Sequence, residues 1–389
     1  MTPLFIENAL VIGMTTPSDV TPGGHVLVED GVIAALHGDA ERRAREIAAA
    51  GRPLERLDAR GLWLLPGFVQ THVHLCQTLL RNGPDDLPLL PWLRTHVWPG
   101  EAAHDEATLE VSARLGLAEL LSGGTTAILD MGTVRHTDSV FRAAEASGLR
   151  VTSGNALMDD PATNPEELRA GTEESLEETE RLAKKWHGAA GGKLRVAYCP
   201  RFAVSCTDQL LRAAAARGTA VAHCPSSNLK LASGVCPVPE YRAQGIKVTI
   251  GADGAPCNDR LDAFTEMRLA ALLPKVRLGP GALSAWDVLR MATVEGASAL
   301  SLPTGTLERG RRADLLLLDP GSGFAEPTTW REDPYGPIVY SMDRSHVVAT
   351  FVDGISRYRR GESFPLKPSS AEIGAAVAAL KRRRLDQKR

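Results

Sequence analysis

Two histidines separated by a single residue, His72 and His74, give the clearest sign of chemistry in this sequence. They follow the apolar run Trp63–Leu65 and a Pro66-Gly67 break, which predicts that they stand at the end of a buried strand. In an extended chain, residues i and i+2 point to the same face, so both imidazoles can reach one metal ion. An HxH pair alone is also compatible with a polar turn, so further ligands are needed downstream.

A carboxylate follows another apolar run. Asp253 comes shortly after Lys247–Ile250, at the position where a strand would end in a turn. It would complete a histidine-rich metal site and accept a proton from water that the metal activates. Taken alone, Asp253 fits a turn or a helix N-cap equally well. Together with His72 and His74, it is predicted to be both a metal ligand and the catalytic residue.

The bulk composition excludes several classes of protein. With 389 residues and a net charge of −3, the chain shows no basic footprint for nucleic acid. No stretch has the length and apolarity of a membrane span, and no secretory signal opens the chain. Six cysteines without a CxxC pair favour reduced thiols over disulfides. We therefore expect a cytoplasmic protein that acts on a small molecule, with a homo-oligomer as one option.

The elements that must position these residues alternate between strand and helix. Apolar runs predict six strands: Trp63–Val69, Thr125–Asp130, Arg150–Asn155, Lys193–Tyr198, Thr219–Ala222 and Lys247–Ile250. Helical patterns lie between them, at Ala107–Leu121, Val140–Ser147, Pro165–Lys185 and Thr207–Ala216. This alternation, with polar residues after the strands, predicts an α/β fold of the (β/α) barrel type over residues 63–302.

The two ends of the chain have a different pattern. Residues 1–62 show short strands and a hairpin turn at Asp30-Gly31, which predicts a small β unit and not a helical one. Residues 303–360 return to β character and are expected to pair with 1–62 in one composite β-sandwich. Residues 361–389 are predicted to form a helical tail whose Lys/Arg run marks a solvated helix end.

Several motifs of the chain resemble the amidohydrolase superfamily. They are Pro66–His74, Asp85–Trp92, Trp98–His104, Ser122–Thr126, Pro200–Cys206, His223–Gly234, Gly251–Asn258 and Gly305–Asp319. Within the superfamily they resemble the branch of 5′-deoxyadenosine and S-adenosylhomocysteine deaminases, guanine deaminases and triazine (N-ethylammeline) chlorohydrolases. The resemblance implies an eight-unit barrel flanked by a β-sandwich from both termini.

The same resemblance implies one Zn²⁺ or Fe²⁺ in the barrel. Its ligands would be the HxH pair, a histidine after strand 5 and an aspartate after strand 8. His72, His74 and Asp253 match three of these four ligands.

The resemblance also implies substrate-binding residues. Glu101 matches a loop glutamate that holds ribose hydroxyls in nucleoside-type members. Arg201 and Phe202 match a position that contacts the base, and an Arg-Phe pair there is similar to guanine deaminases.

One part of the family pattern is missing. The His-x-x-Glu segment of strand 5 and the segment of strand 6 are absent between Cys206 and Gly218. Because both flanks match, we expect an internal loss of two of the eight strand–helix units, roughly 60 residues. His223 matches the strand-7 motif, so it would replace the lost ligand only by a shift of its strand, and position 226 is Ser instead of Glu.

Three functions are compatible with these features. The first is a metal-dependent hydrolase that deaminates a purine nucleoside such as 5′-deoxyadenosine and is impaired by the lost His and Glu. The second is a catalytically inactive pseudoenzyme or truncated remnant. The third is a triazine chlorohydrolase or guanine-type deaminase on the same scaffold.

Overall fold

The computed structural model of the chain describes residues 1–201, 220–322 and 333–387. Its strands are β1 Leu4–Ile12, β2 Val20–Glu29, β3 Val32–Leu36, β4 Glu55–Asp58, β5 Trp63–Pro66, β6 Phe68–His74, β7 Thr125–Asp130, β8 Arg150–Ser153, β9 Ala156–Leu157, β10 Leu194–Val196, β11 Cys199–Pro200, β12 Val221–His223, β13 Val248–Ile250, β14 Asp253–Gly254, β15 Leu315–Leu318, β16 Val347–Val352 and β17 Ile355–Arg359.

The helices of the same residues are α1 His37–Ala49, α2 Leu89–Trp92, α3 Trp98–Ala102, α4 Glu106–Ser122, α5 Thr137–Ser147, α6 Thr172–Trp186, α7 Ala189–Gly192, α8 Pro225–Lys230, α9 Val238–Ala243, α10 Ala255–Asn258, α11 Ala263–Leu278, α12 Ala285–Met291, α13 Val294–Ala299, α14 Tyr335–Tyr340 and α15 Ser370–Asp386. A π-helical turn, Leu93–Val97, joins α2 to α3. Short 3₁₀ helices span Leu75–Leu80, Glu166–Leu168 and Arg344–His346.

One eight-stranded sheet combines both ends of the chain. Its order is β17-β16-β15-β5-β1-β2-β3, and β4 also pairs with β1. At its centre, β15 is antiparallel to both β16 and β5, and all four leucines of Leu315–Leu318 are buried. Strands from the first 66 residues therefore share hydrogen bonds with strands after residue 314, while the exact domain limits remain a prediction.

Residues 1–62 contain four strands, β1 to β4, and one helix, α1, that the sequence pattern did not predict. Helix α1 packs Ala40, Ala44 and Ile47 against Phe5 and Leu27 of this sheet. These three apolar residues are spaced by four and three positions, which places them on one face of a helix. The other face carries exposed ion pairs. Most of the segment is therefore polar, and three apolar residues give only a weak helical period.

A second sheet is parallel and carries the candidate site. Its order is β10-β8-β7-β6-β14. A hydrogen bond of 2.6 Å between Thr71 of β6 and Thr249 of β13 connects this sheet to a separate two-stranded sheet. In that two-stranded sheet, β13 pairs with β12 in parallel. Each of the six strands predicted for the barrel has a counterpart here, at β6, β7, β8, β10, β12 and β13. The described residues contain no pairing between β10 and β12, so closure into a barrel stays a prediction.

The predicted strand Trp63–Val69 is two strands in two different sheets. β5 belongs to the eight-stranded sheet, while β6 begins the parallel one. The chain crosses at Gly67, where an added Cβ would lie only 2.1 Å from Cγ2 of Thr126. Only glycine permits this close approach, so the Pro66-Gly67 break is the junction between the sheets.

The C-terminal helix α15 is anchored to the rest of the molecule. Ala376 and Leu380 are buried in a cluster with Leu79 and Leu80. Arg383 donates to the carbonyl oxygen of Ala103 at 2.9 Å. The Lys/Arg run is solvated in part, since Lys381 and Arg382 are exposed while Arg383 and Arg384 are half-buried. In the described part of the chain, no helix combines the length and the apolarity that a membrane crossing requires.

Candidate active site

The pairing of β14 with β6 brings the candidate ligands together. Asp253 lies opposite Val73, and Gly254 lies opposite His74. Oδ1 of Asp253 is 3.4 Å from Nε2 of His72 and 3.2 Å from Nε2 of His74. One ligand atom from each of the three residues lies within 4.8 Å of the other two. Two imidazole nitrogens and one carboxylate oxygen form a donor set that suits a catalytic divalent metal, which commonly has three protein ligands and an open position.

Local backbone features fix Asp253 in this place. Its φ of +63° lies in the left-handed region, where aspartate is among the few tolerated side chains. Oδ2 accepts a hydrogen bond of 2.6 Å from Oγ of Ser227, and Oδ1 accepts one of 2.8 Å from the amide of Gly254. At Gly251, an added Cβ would lie 2.8 Å from both Cβ and O of His72. The turn before Asp253 can therefore approach β6 only because residue 251 is glycine.

The electrostatics of Asp253 fit a metal ligand. Burial acts to raise the pKa of its carboxyl, but hydrogen bonds from His72 and His74 outweigh this and hold the pKa well below its usual value. The carboxylate is therefore ionised at neutral pH, which is the form that coordinates metal ions.

Next to these ligands, Glu101 and Arg201 form a buried ion pair. Both side chains are only 2% exposed. Arg201 donates from Nη2 to Oε1 of Glu101 at 2.8 Å and from Nη1 to Oε2, and Nε2 of Gln77 donates to Oε1 at 2.8 Å. Burial acts to raise the pKa of Glu101, but Arg201 lowers it on balance. His74 is close to both parts of the site, because one ligand atom each of His74, Cys76 and Glu101 also lie within 4.8 Å of one another.

Two predicted site residues remain, Phe202 and His223. Phe202 lies outside the described residues, and His223 lies apart from this centre. His223 is buried, and burial lowers its pKa to about 4. In the described part of the chain, His223 joins neither group of potential metal ligands. Its carbonyl oxygen instead accepts a hydrogen bond of 3.0 Å from the amide of Gly251, next to the turn that carries Asp253.

Sequence reasoning missed Glu266, a fully buried carboxyl on α11. It accepts hydrogen bonds from the amide of Ser226 at 3.1 Å and from Nδ2 of Asn258 at 2.9 Å. Burial raises its pKa to about 7. Glu266 thereby ties together the segments on either side of Asp253. A single acidic residue on the apolar face of α11, between Phe264 and Met267, was the signal that could have revealed it.

The conserved pattern of the amidohydrolase family matches residues 63–217 and 212–356 of the chain. The chain belongs to the amidohydrolase family. The two matched segments meet near residue 215, between β11 and β12, and together they include His72, His74 and Asp253.

Two curated relatives show how far the similarity extends. This amidohydrolase is 33% identical to a 5′-deoxyadenosine deaminase of Methanothermobacter thermautotrophicus over 421 aligned positions, which cover 92% of this chain and 94% of the relative. It is also 33% identical to a 5-methylthioadenosine/S-adenosylhomocysteine deaminase of Nitratidesulfovibrio vulgaris, with 92% of each chain covered. The alignment with the first relative has 421 positions, which is more than the 389 residues of this chain. Some of its positions therefore hold residues of the relative that have no counterpart in this chain.

A solved structure supports the fold over the whole chain. An adenosine deaminase from Xanthomonas campestris with bound zinc is 26% identical, has a TM-score of 0.83, and is matched over 99% of each chain. This amidohydrolase therefore shares a mixed α/β architecture with a zinc-bound family member.

Proposed function

We propose that this amidohydrolase is a metal-dependent deaminase of a purine nucleoside such as 5′-deoxyadenosine. The observation that carries the proposal is the convergence of His72, His74 and Asp253 at the ends of β6 and β14. The names of the curated relatives support a nucleoside substrate and do not favour an inactive remnant. The free thiols of the five described cysteines support a reducing, cytoplasmic location.

His72, His74 and Asp253 would hold the metal, which we expect to be zinc or ferrous iron. When bound, such an ion acts as a Lewis acid and makes water reactive at neutral pH. We assign to Asp253 the acceptance of a proton from the attacking water, because its carboxylate is ionised and Ser227 fixes one of its oxygens. Hydrolysis would then replace the amino group at C6 of the purine by oxygen and release ammonia.

Glu101 and Arg201 would recognise the substrate as a unit. An ionised carboxylate offers about four acceptor positions. Arg201 and Gln77 occupy three of them in Glu101, and the thiol of Cys76, a weak donor 3.7 Å from Oε1, takes the fourth. A ribose hydroxyl would bind by displacing this thiol contact. We therefore propose that Arg201 holds Glu101 ionised inside the protein while Glu101 receives the sugar.

We further propose that the chain lacks two strand–helix units next to residue 215. The break between the two family matches and the excess length of the first relative's alignment support this loss. Its consequence would be a metal site with three protein ligands and no glutamate to protonate the purine ring. General acid catalysis of this kind contributes ~10²–10⁴-fold in rate, so turnover is expected to be slow.

Ammonia release from 5′-deoxyadenosine, measured with added Zn²⁺ or Fe²⁺, tests the proposal. We expect metal-dependent release that Asp253→Asn abolishes and that His136→Asn, at an exposed imidazole, leaves unchanged. Guanine serves as an alternative substrate in the same assay, and a chlorotriazine is tested in parallel by the release of chloride. Absence of metal-dependent release from every substrate would identify an inactive remnant. Turnover above ~1 s⁻¹, the usual enzyme range, would show that another residue replaces the lost pair, and His223 would be mutated first.

A further inference from the structure

A cavity of about 450 Å³ lies apart from the metal ligands, on the outer side of α3. Its walls come from the helical segment before residue 103, the loop around residue 165 and the C-terminal helix α15. The lining residues that matter for its chemistry are Arg94, Trp98, Glu167 and Arg384. The volume falls in the range of small-molecule sites, which is about 300–1,000 Å³.

Two guanidinium groups face this cavity without a carboxylate to neutralise them. Within the described part of the chain, neither Arg94 nor Arg384 has an acidic side chain within 4.0 Å, and Glu167 of the same cavity pairs with neither. The neighbouring Arg383, by contrast, is paired with Asp105. Arg384 is half-buried and donates one hydrogen bond of 3.1 Å to the carbonyl oxygen of Thr95. Arg94 is exposed to solvent, so Arg384 is the partly desolvated cation that an anion would stabilise most.

The rest of the wall is mixed, with polar residues at Thr163, Asn164 and Gln387 and an apolar part next to α3. Trp98 lines the cavity but is only 4% exposed, so the accessible apolar surface comes mainly from the half-buried Pro99, Ala102 and Pro165. Guanidinium planes stack on aromatic faces, so Arg94 and Arg384 can contact a planar ring of a ligand as well as its charge. The cavity therefore combines an anion-binding edge with a surface for a planar apolar group.

We propose that this cavity, the Trp98 pocket, binds a small molecule in which an anionic group is attached to a planar apolar ring. Neither part alone would satisfy both the arginines and the apolar wall. The pocket uses one face of α3, through Trp98 and Ala102, while Glu101 on the same helix turns its carboxylate to Arg201. A ligand in the pocket would thus contact the helix that carries Glu101. The proposal does not depend on the deaminase activity.

Isothermal titration of the full chain with phenyl phosphate tests this pocket. Inorganic phosphate and phenol are the controls for the anion and the ring alone. We expect saturable binding of phenyl phosphate that is at least about tenfold tighter than that of either control, since each part adds its own contacts.

Variants distinguish the Trp98 pocket from the metal site. Arg94→Gln and Arg384→Gln should each weaken phenyl phosphate binding about tenfold or more, as expected for loss of a charge-assisted contact. Arg382→Gln is the matched control, because Arg382 is exposed on the same helix α15 and does not line the pocket. Equal affinity for phenyl phosphate in all three variants and the parent chain, or no saturable binding in the parent chain, would overturn the proposal.

Discussion

Arg201 and Glu101, 100 residues apart in the chain, hold each other through two parallel hydrogen bonds inside the protein. Each side chain is 2% exposed, so neither charge is solvated by bulk water. The pair stands beside His74, one of the candidate metal ligands. Because of this pairing, the two residues that we propose to recognise the substrate depend on one another.

Removal of Arg201 is expected to destabilise the fold strongly. Arg201→Met leaves the carboxylate of Glu101 buried without its cation, which typically costs ~3–5 kcal/mol in the free energy of unfolding. The double variant Glu101→Leu/Arg201→Met removes both charges and should recover most of that loss. Urea unfolding of the single and double variants measures the coupling. Losses that simply add would show that the two residues do not act as a pair.

Glu101 is expected to discriminate nucleosides from free bases. Glu101→Gln keeps the shape of the side chain but removes the charge that would hold ribose hydroxyls. Loss of one charge-assisted hydrogen bond costs ~1.5–3 kcal/mol, so the affinity for 5′-deoxyadenosine should fall much more than that for adenine. Equilibrium dialysis with both ligands measures the difference, and equal weakening would argue against the ribose role.

Metal binding is expected to stabilise the folded chain through His72, His74 and Asp253. A ligand present at 100 times its Kd raises the free energy of unfolding by about 2.7 kcal/mol. Zn²⁺ should therefore raise the melting temperature of the parent chain and of His136→Asn, but not that of His72→Ala. Thermal unfolding with and without chelator checks this, and stabilisation of His72→Ala by Zn²⁺ would place the metal elsewhere.

Gly251→Ala should damage the metal site specifically. The new Cβ would lie 2.8 Å from both Cβ and backbone O of His72, and a backbone atom cannot move away cheaply. We expect the affinity for Zn²⁺ to fall at least about tenfold, since ligand geometry is displaced by tenths of an ångström or more. Gly281→Ala is the matched control, because an added Cβ there meets open space. Metal titration that does not distinguish the two variants would contradict this.

The stability of the chain should fall as the pH rises through the window set by Glu266. Burial raises its pKa in the folded state from 4.5 to about 7. Between these values the unfolded chain is ionised at this residue while the folded chain keeps the proton, so rising pH favours unfolding, by no more than about 3 kcal/mol. Glu266→Gln should flatten this pH dependence between pH 4.5 and about pH 7, and Glu173→Gln, at an exposed glutamate, should not. Urea midpoints across that range provide the measurement.

The sequence by itself determined most of the local elements. β1 and β3 begin and end where their apolar runs do, and β7 matches its predicted range Thr125–Asp130. The roles of His72 and His74 could also be predicted from the sequence, because the two-residue repeat of a strand is a local property of the backbone. Asp253 could be predicted only in combination with His72 and His74, because no local pattern distinguishes it from a turn residue.

Elements that depend on a distant partner were harder to predict. The junction at Gly67 separates β5 from β6 because Thr126 packs against it, and Thr126 is far away in the chain. Helix α1 was missed because only three of its residues, Ala40, Ala44 and Ile47, are buried against the sheet. In both cases the apolar signal is short, and the partner surface decides the outcome.

Only the tertiary structure decided how the charged groups of the site are paired. The sequence suggested separate roles for Glu101 and Arg201, whereas the fold joins them in one buried ion pair. The sequence likewise did not indicate that Glu266 accepts hydrogen bonds from Ser226 and Asn258, which lie on either side of Asp253 in the chain. The physical reason is that hydrogen-bond partners and pKa values depend on burial and on distances between residues far apart in the chain, and folding alone sets both.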